Sequence, residues 1–174
     1  MEYQIRPLKK SDNRKEFESG HTDLDHFFWR YAGQNQFRHH IGVSYIATDE
    51  DTIFGYITLA VGNLEVEKLL ESQSLPLNYP LPILRIGRLA VDYHYQGKKV
   101  GKELLRYAFL AAIRLRDTVG CVGVVVDAKM PAVEYYKKLG FHLIDDPLEG
   151  EIRGNPLPQP MFIPIKSIVI KEDS

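Results

Sequence analysis

The segment with the clearest chemical meaning is a glycine- and lysine-rich turn at residues 96–102, between an apolar strand pattern and a helical pattern. The first N–H groups of a helix lack partners within it, and the helix dipole adds about half a positive charge there. Lys98, Lys99 and Lys102 would oppose that dipole in an isolated helix, whereas a bound polyphosphate would turn repulsion into attraction. The turn therefore predicts a phosphate-binding site.

Two known phosphate-binding patterns, and a third interpretation without any ligand, can be compared with this turn. The dinucleotide fingerprint G-x-G-x-x-G and the nucleoside-triphosphate loop G-x-x-x-x-G-K-[ST] are both absent from the sequence. The third is a solvated charged turn in which Gly97 only allows the chain to reverse. A second block further along the chain favours the ligand site.

That second block combines a β-branched strand pattern with a short aromatic helix. The run Val124-Val125-Val126-Asp127-Ala128 predicts a strand. Pro131 suits the first turn of the helix, and Gly140 is typical of a helix C-terminus. Tyr135 and Tyr136 lie between them, and of the two we expect Tyr135 to pack in the core.

Together the two blocks resemble the GNAT superfamily of acyl-coenzyme A N-acyltransferases. In the family pattern [Q/R]-x-x-G-x-[G/A], which wraps the pyrophosphate, Gln96 and Gly101 fill the outer positions and Lys99 replaces the usual glycine. In the pattern A-x-x-[F/Y]-Y-x-x-x-G-F, Tyr136 fills the position beside the thioester. The resemblance implies an acetyl-coenzyme A (acetyl-CoA)-dependent N-acetyltransferase in which an amine attacks directly, through a tetrahedral intermediate.

The resemblance also implies roles for individual residues. Backbone N–H groups near Leu89 and Val91 correspond to those that polarise the thioester carbonyl and pair with pantetheine. Tyr136 corresponds to the general acid, the alternative being an aromatic residue that only packs. The implied cofactor-binding residues are Leu89, Ala90, Val91, Gln96, Gly97, Lys98, Lys99, Val100, Gly101 and Lys102.

No residue stands out as a general base. Many GNAT relatives place a glutamate on or beside the strand before the turn, where this chain has Arg85 and Arg88. An aminoacyl ester amine is less basic than that of lysine, so much of it is already neutral and water can accept the last proton. The histidines lack other ligands at metal-binding spacing, and no metal is predicted.

The first half narrows the resemblance to the GNAT toxins of bacterial toxin–antitoxin pairs. The shared patterns are Phe17-Glu18-Ser19-Gly20-x-x-x-Leu24-Asp25-x-Phe27-Phe28, Ala32-x-x-Asn35-Gln36 and Pro82-Ile83-x-x-x-Gly87-Arg88-Leu89-Ala90-Val91-Asp92, with Ser19 replacing the usual cysteine. This resemblance implies acetylation of the α-amine of aminoacyl-tRNA and a ribbon-helix-helix antitoxin as partner. A homodimer is a further assembly to test.

Charge limits how such a protein could bind tRNA. The net charge of this 174-residue chain is −1, so a tRNA contact needs a local basic patch. The basic residues of the first quarter are Arg6, Lys9, Lys10, Arg14, Lys15, Arg30 and Arg38. Solvated helix faces carry such residues routinely.

Two other functions stay open: a GNAT enzyme acting on a small-molecule or protein amine, and a non-catalytic acyl-CoA-binding module.

The length suits one domain, and we expect a single GNAT-like acyltransferase domain over 1–174. The fold class is α/β (α+β): a mixed central sheet of six or seven strands, with a splayed parallel pair that holds the cofactor, and about four helices. Periodicity predicts strands at 3–8, 44–48, 53–61, 83–91, 121–128, 141–144 and 162–170, and helices at 11–17, 22–37, 66–70, 100–116 and 131–139. With no run of about 18 apolar residues, a soluble cytoplasmic protein without membrane association is expected.

Overall fold

The computed structural model describes residues 1–65, 80–144 and 157–170. The strands are β1 (Gln4–Pro7), β2 (Val43–Thr48), β3 (Ile53–Leu64), β4 (Leu81–Val91), β5 (Gly123–Ala128), β6 (His142–Leu143) and β7 (Gln159–Pro164). The α-helices are α1 (Thr22–Arg30), α2 (Val100–Thr118) and α3 (Val133–Leu139). A π-helical segment covers Gln34–His39, and single 3₁₀ turns cover Tyr93–Tyr95, Met130–Ala132 and Ile165–Ser167.

The strands form one mixed sheet in the order β1-β2-β3-β4-β5-β7-β6. The pairs β1–β2, β2–β3, β5–β7 and β6–β7 are antiparallel, and β4–β5 is the parallel pair. A parallel pair needs a crossover connection, and α2 supplies it between β4 and β5. The predicted mixed sheet with a parallel pair is confirmed. Among the described residues, no helix has the length and apolar character needed to cross a membrane.

The first of two compact units comprises Met1–Ala60 and Ile86–Ala108. Its core is aromatic: the Phe28 ring lies parallel to the fully buried Tyr56 ring at 4.3 Å between centroids, and Phe17 meets both edge-on. The Tyr56 hydroxyl donates a 2.7 Å hydrogen bond to the Leu24 carbonyl oxygen. Burial raises the pKa of Tyr56, so this donor keeps its proton. The face of α1 that carries Leu24, Phe27 and Phe28 at helical spacing therefore builds this core.

The second unit comprises Val61–Arg85 and Phe109–Ser174. Its core includes Val125 and Phe162, on the paired strands β5 and β7. Gly123 is required at the start of β5, because a Cβ there would lie 2.2 Å from the Ile163 carbonyl oxygen. Absence of a side chain therefore lets β7 run close to β5.

The predicted helix at 11–17 is wrong. Asp12 accepts hydrogen bonds from the Lys9 N–H at 2.7 Å and from the Arg6 guanidinium, and the Asn13 side chain accepts one from the Lys15 N–H. Such short-range contacts from Asp and Asn side chains satisfy backbone groups without a helix, and the segment forms turns instead.

Two other predicted elements end well before the predicted residue. The helix predicted at 22–37 is divided, with α1 ending at Arg30 and the π-helical segment following. The last strand is Gln159–Pro164. It ends at Pro164 because this residue pairs with Gly123, the first residue of β5, and β5 offers no partner beyond it. The helix predicted at 66–70, the proline-rich run before residue 80 and the loop around 149–153 lie outside the described residues.

Candidate active site

The predicted cofactor turn joins the end of β4 to α2. Gly97 has φ 78° and Lys99 has φ 66°, both in the left-handed region. Glycine adopts this conformation freely, whereas for an L-residue such as lysine it costs about 1–2 kcal/mol. Lys99 thus departs from the GNAT pattern at a position where the backbone itself favours glycine.

The backbone N–H groups of residues 97–102 donate no hydrogen bond to any of the described residues; the first bond of α2 runs from the Glu103 N–H to the Lys99 carbonyl. Lys98, Lys99 and Lys102 are exposed beside these donors. Consecutive free N–H groups at a helix start, with three cations around them, fit a pyrophosphate well.

Gly101 lies in the first turn of α2. A Cβ there would contact only the Val91 Cγ2 atom, at an ordinary 3.5 Å, and its φ is not in the left-handed region. Glycine costs roughly 1 kcal/mol relative to alanine inside a helix. Neither packing nor backbone conformation requires glycine here, which fits a ligand that approaches the helix closely at this point.

Gln96 is held by the protein itself. Its Nε2 group donates to the Ser19 carbonyl at 3.0 Å and to the Val91 carbonyl at 3.1 Å. The side chain therefore ties the turn to the end of β4 and to a segment near the start of the chain. Gln96 as a direct cofactor ligand stays a prediction.

Asp92 is a residue of the same region to which the sequence analysis gave no role. Its buried carboxylate accepts hydrogen bonds from the Glu18 N–H at 3.1 Å and the His94 N–H at 3.0 Å. The same carboxylate lies 2.8 Å from the His94 Nδ1 atom. Aspartate directly after a strand is typical of a turn stabilised by its own side chain, and this signal was available in the sequence.

Tyr136 lies on α3 and is 5% exposed, whereas Tyr135 is 43% exposed. The expectation that Tyr135 would be the core residue is wrong, because α3 buries the face that carries Val133 and Tyr136, three residues apart. Tyr136 packs edge-on against Phe141 at 5.3 Å between ring centroids. Gly140, with φ 104°, ends α3 and allows the chain to turn back.

The Tyr136 hydroxyl donates no hydrogen bond to the described residues. Burial raises the pKa of Tyr136 well above its ordinary value, with a smaller contribution from Tyr135. The phenol therefore keeps its proton at neutral pH, as a general acid must.

Arg85 is buried and forms an ion pair. Its side chain is 2% exposed and binds Asp127 through two contacts, Nη2–Oδ1 at 2.9 Å and Nε–Oδ2 at 3.2 Å. The predicted site residues divide between the units: Leu89, Ala90, Val91 and residues 96–102 lie in the first, and Tyr136 lies in the second.

The basic cluster of the first quarter is smaller than the sequence suggested. Arg6 pairs with Asp12 and Glu50, both at 2.8 Å, and Arg14 is partly buried and donates to the Phe28 carbonyl. These two guanidinium groups are occupied within the fold. Five residues of the cluster remain exposed, namely Lys9, Lys10, Lys15, Arg30 and Arg38.

Comparison with known proteins identifies the family. Residues 40–143 match the family model of the acetyltransferase (GNAT) domain. A tRNA-acetylating toxin of Mycobacterium tuberculosis is 27% identical over 125 residues, which cover 71% of this chain and 74% of that protein.

Two solved structures of the toxin AtaT are similar over nearly the whole chain. AtaT complexed with acetyl-methionyl-tRNAfMet is 27% identical, with TM-score 0.79 over 95% of this chain and 96% of the other. A mutant AtaT toxin bound to the C-terminus of the antitoxin AtaR and acetyl-CoA is 27% identical, with TM-score 0.73 over 96% of both chains. The match to more than half of the sequence shows that this chain belongs to the GNAT acetyltransferase family.

Proposed function

We propose that this acetyl-CoA-dependent N-acetyltransferase transfers the acetyl group to the α-amine of an aminoacyl-tRNA. The observation that carries the proposal is the similarity, along almost the full chain, to AtaT in complex with acetyl-methionyl-tRNAfMet. The match to a tRNA-acetylating toxin over 71% of the chain supports the same acceptor.

The donor site that we assign is the end of β4 with the turn that follows. The free N–H groups of residues 97–102 and the three exposed lysines would hold the pyrophosphate. Leu89, Ala90 and Val91 would pair with the pantetheine arm. Bound acetyl-CoA supplies the activated thioester, and the small size of Gly101 leaves room for its approach.

Acyl transfer needs an N–H donor for the carbonyl oxygen and an acid for the departing sulfur. We assign the first role to a backbone N–H near Leu89 and the second to the Tyr136 hydroxyl. The raised pKa of Tyr136 keeps the hydroxyl protonated at neutral pH before the thiolate departs.

The amine is expected to lose its proton to water. The Asp127 carboxylate is bound to Arg85 in a buried ion pair, so Asp127 is not a free base. An α-amine of an ester is substantially neutral near physiological pH, and this favours an aminoacyl ester over a lysine side chain as acceptor.

The partner that we propose is an antitoxin that holds the enzyme inactive, of the ribbon-helix-helix class. Support comes from the AtaT toxin, which is bound to the C-terminus of the antitoxin AtaR in a similar structure. Co-purification of the protein with the product of a neighbouring ribbon-helix-helix gene, and loss of acetylation in that complex, would test the assignment.

One observation favours a second candidate, a GNAT enzyme that acetylates a small-molecule or protein amine. The chain is slightly acidic, and two of its seven clustered basic residues are occupied in the fold. The deciding experiment is incubation of the protein with labelled acetyl-CoA and either charged tRNA or free amines and peptides. Label on charged tRNA supports the proposal. Turnover of a free amine, with charged tRNA untouched at low salt, overturns it.

A further inference from the structure

The segment 17–20 is fastened to the proposed cofactor turn. Glu18 forms two contacts with the end of β4: its N–H donates to the Asp92 carboxylate at 3.1 Å, and its carbonyl accepts from the Tyr93 N–H at 2.9 Å. The next residue, Ser19, accepts the hydrogen bond of Gln96 on its carbonyl at 3.0 Å. The geometry of the turn thus depends on where Ser19 is held.

Ser19 is held in turn by Asp25 at the start of α1. The Asp25 carboxylate accepts from the Ser19 N–H at 2.9 and 3.1 Å and from the Ser19 hydroxyl at 2.6 Å. Ser19 and Asp25 are both 3% exposed. The hydroxyl also accepts from the His21 N–H at 3.1 Å, so the bend between Ser19 and α1 is fixed at several points.

Among the residues that the structure describes, the Asp25 carboxylate forms no ion pair. It is held by hydrogen bonds and lies in the first turn of α1, where the helix dipole favours a negative charge. A buried carboxylate held by neutral donors is costly, but its short hydrogen bonds define one geometry closely.

The chain of contacts ends at the turn. Gln96 can use both hydrogens of its amide nitrogen, one toward the Ser19 carbonyl and one toward the Val91 carbonyl. The side chain thus links Ser19 to the last residue of β4. The next residues carry the free N–H groups that we assign to pyrophosphate. A shift of Ser19 would tilt Gln96 and with it the direction of those N–H groups.

We infer that Asp25 is a positioning residue for acetyl-CoA, which acts through Ser19 and Gln96 to orient the N–H groups of the cofactor turn. The inference rests on the proposed function of that turn. It assigns a role to the Ser19–Asp25 pair of the N-terminal segment, which contributes no group to the assigned chemistry. Because the whole pathway lies within the first compact unit, it can be tested on donor binding alone.

The primary test is calorimetry of coenzyme A and acetyl-CoA with the wild type and Asp25→Asn. Asn keeps the shape of Asp but loses the charge and one acceptor oxygen, and we expect the dissociation constant to rise about tenfold. With charged tRNA as acceptor, KM for acetyl-CoA should rise similarly, while kcat changes less than about threefold. Ser19→Ala, a milder change at the same contact, should act in the same direction if Asp25→Asn folds poorly.

The matched control is Asp12→Asn, which breaks the ion pair with Arg6 in the same unit but touches neither Ser19 nor Gln96. It should lower thermal stability and leave the affinity for coenzyme A unchanged. The double variant of Asp25→Asn with Gln96→Met should bind no more weakly than Gln96→Met alone, because both changes interrupt one pathway.

Two results would overturn the inference: unchanged coenzyme A affinity in folded Asp25→Asn and Ser19→Ala, or fully multiplicative losses in the double variant. Failure of the proposed function is a different result. In that case the wild type itself would not bind coenzyme A, whereas failure of the inference alone leaves wild-type binding intact.

Discussion

At the scale of single residues, the chemistry that we propose depends most on Tyr136. We expect Tyr136→Phe to lower kcat by about 10²-fold or more, because the departing thiolate loses its proton donor, while the affinity for coenzyme A hardly changes. Steady-state kinetics and calorimetry measure the two quantities. Tyr135→Phe is the matched control, since that adjacent ring is 43% exposed and is assigned no role.

The pH dependence follows from the same group. Burial raises the pKa of Tyr136, and the acid form is the active one, so kcat should not fall on the alkaline side until the pH exceeds the ordinary tyrosine value of about 10. For the Tyr136→Phe variant, full activity would contradict the assigned role and show that Tyr136 only packs against Phe141.

Lys99 offers a second residue-scale prediction. Lys99→Gly should raise the free energy of unfolding by roughly 0.5–1 kcal/mol, because relief of the left-handed conformation exceeds the entropy that glycine adds to the unfolded chain. Lys99→Ala loses the same charge but keeps the Cβ and the strain, so Lys99→Gly should also bind coenzyme A several-fold more tightly than Lys99→Ala. Equal affinities would show that the Cβ does not limit approach of the ligand.

Residue patterns could predict the turn but not what holds it. The glycines and lysines of 96–102 lie close together in the sequence, so the sequence alone predicts the turn that they form. The partner of Gln96 is Ser19, 77 positions earlier in the chain, and Arg85 meets Asp127, 42 positions away. No spacing rule links such pairs, because they are created by the pairing of strands and the packing of helices.

At the scale of elements, the first turn of α2 is where helix stability and ligand binding conflict. Gly101→Ala should stabilise the protein by about 0.5–1 kcal/mol, since alanine favours a helix and the added methyl meets only Val91 at 3.5 Å. A pyrophosphate that approaches the helix at Gly101, as we propose, would meet the same methyl, so affinity for coenzyme A should fall about fivefold or more. Thermal melting and calorimetry test both parts, and a stabilised variant with unchanged affinity would remove Gly101 from the site.

Elements with strong periodicity were predictable from the sequence. Five apolar residues recur at helical spacing along α2 and are all buried: Val100, Leu104, Leu105, Ala108 and Ala112. The predicted helix at 11–17 is wrong because the Asp12 and Asn13 side chains form hydrogen bonds with backbone N–H groups. The predicted end of the last strand is wrong because β7 ends where its partner strand begins, at Gly123. Propensity and periodicity describe neither effect.

At the scale of the whole molecule, the distribution of charge decides whether the acceptor is tRNA. The net charge is −1, so attraction must come from a small patch, and two arginines of the N-terminal cluster already serve the fold. Arg30 and Arg38 remain exposed near the end of α1 and in the π-helical segment. A patch of few cations predicts a measurable but moderate salt dependence.

We therefore expect acetylation of charged tRNA, measured as kcat/KM, to fall between low and moderate salt, with a slope of about −0.7 to −0.9 in log–log form per phosphate contact. Charge reversal of Arg30 and Arg38 to glutamate should reduce that activity at least tenfold and flatten the slope. It should leave calorimetric binding of coenzyme A unchanged, since none of the hydrogen bonds and ion pairs found among the described residues joins either arginine to the turn at 96–102. Charge reversal at Arg116, which is exposed and paired with Asp117, is the matched control. Salt-independent acetylation of tRNA, or equal loss in the Arg116 variant, would rule out this patch as the acceptor surface.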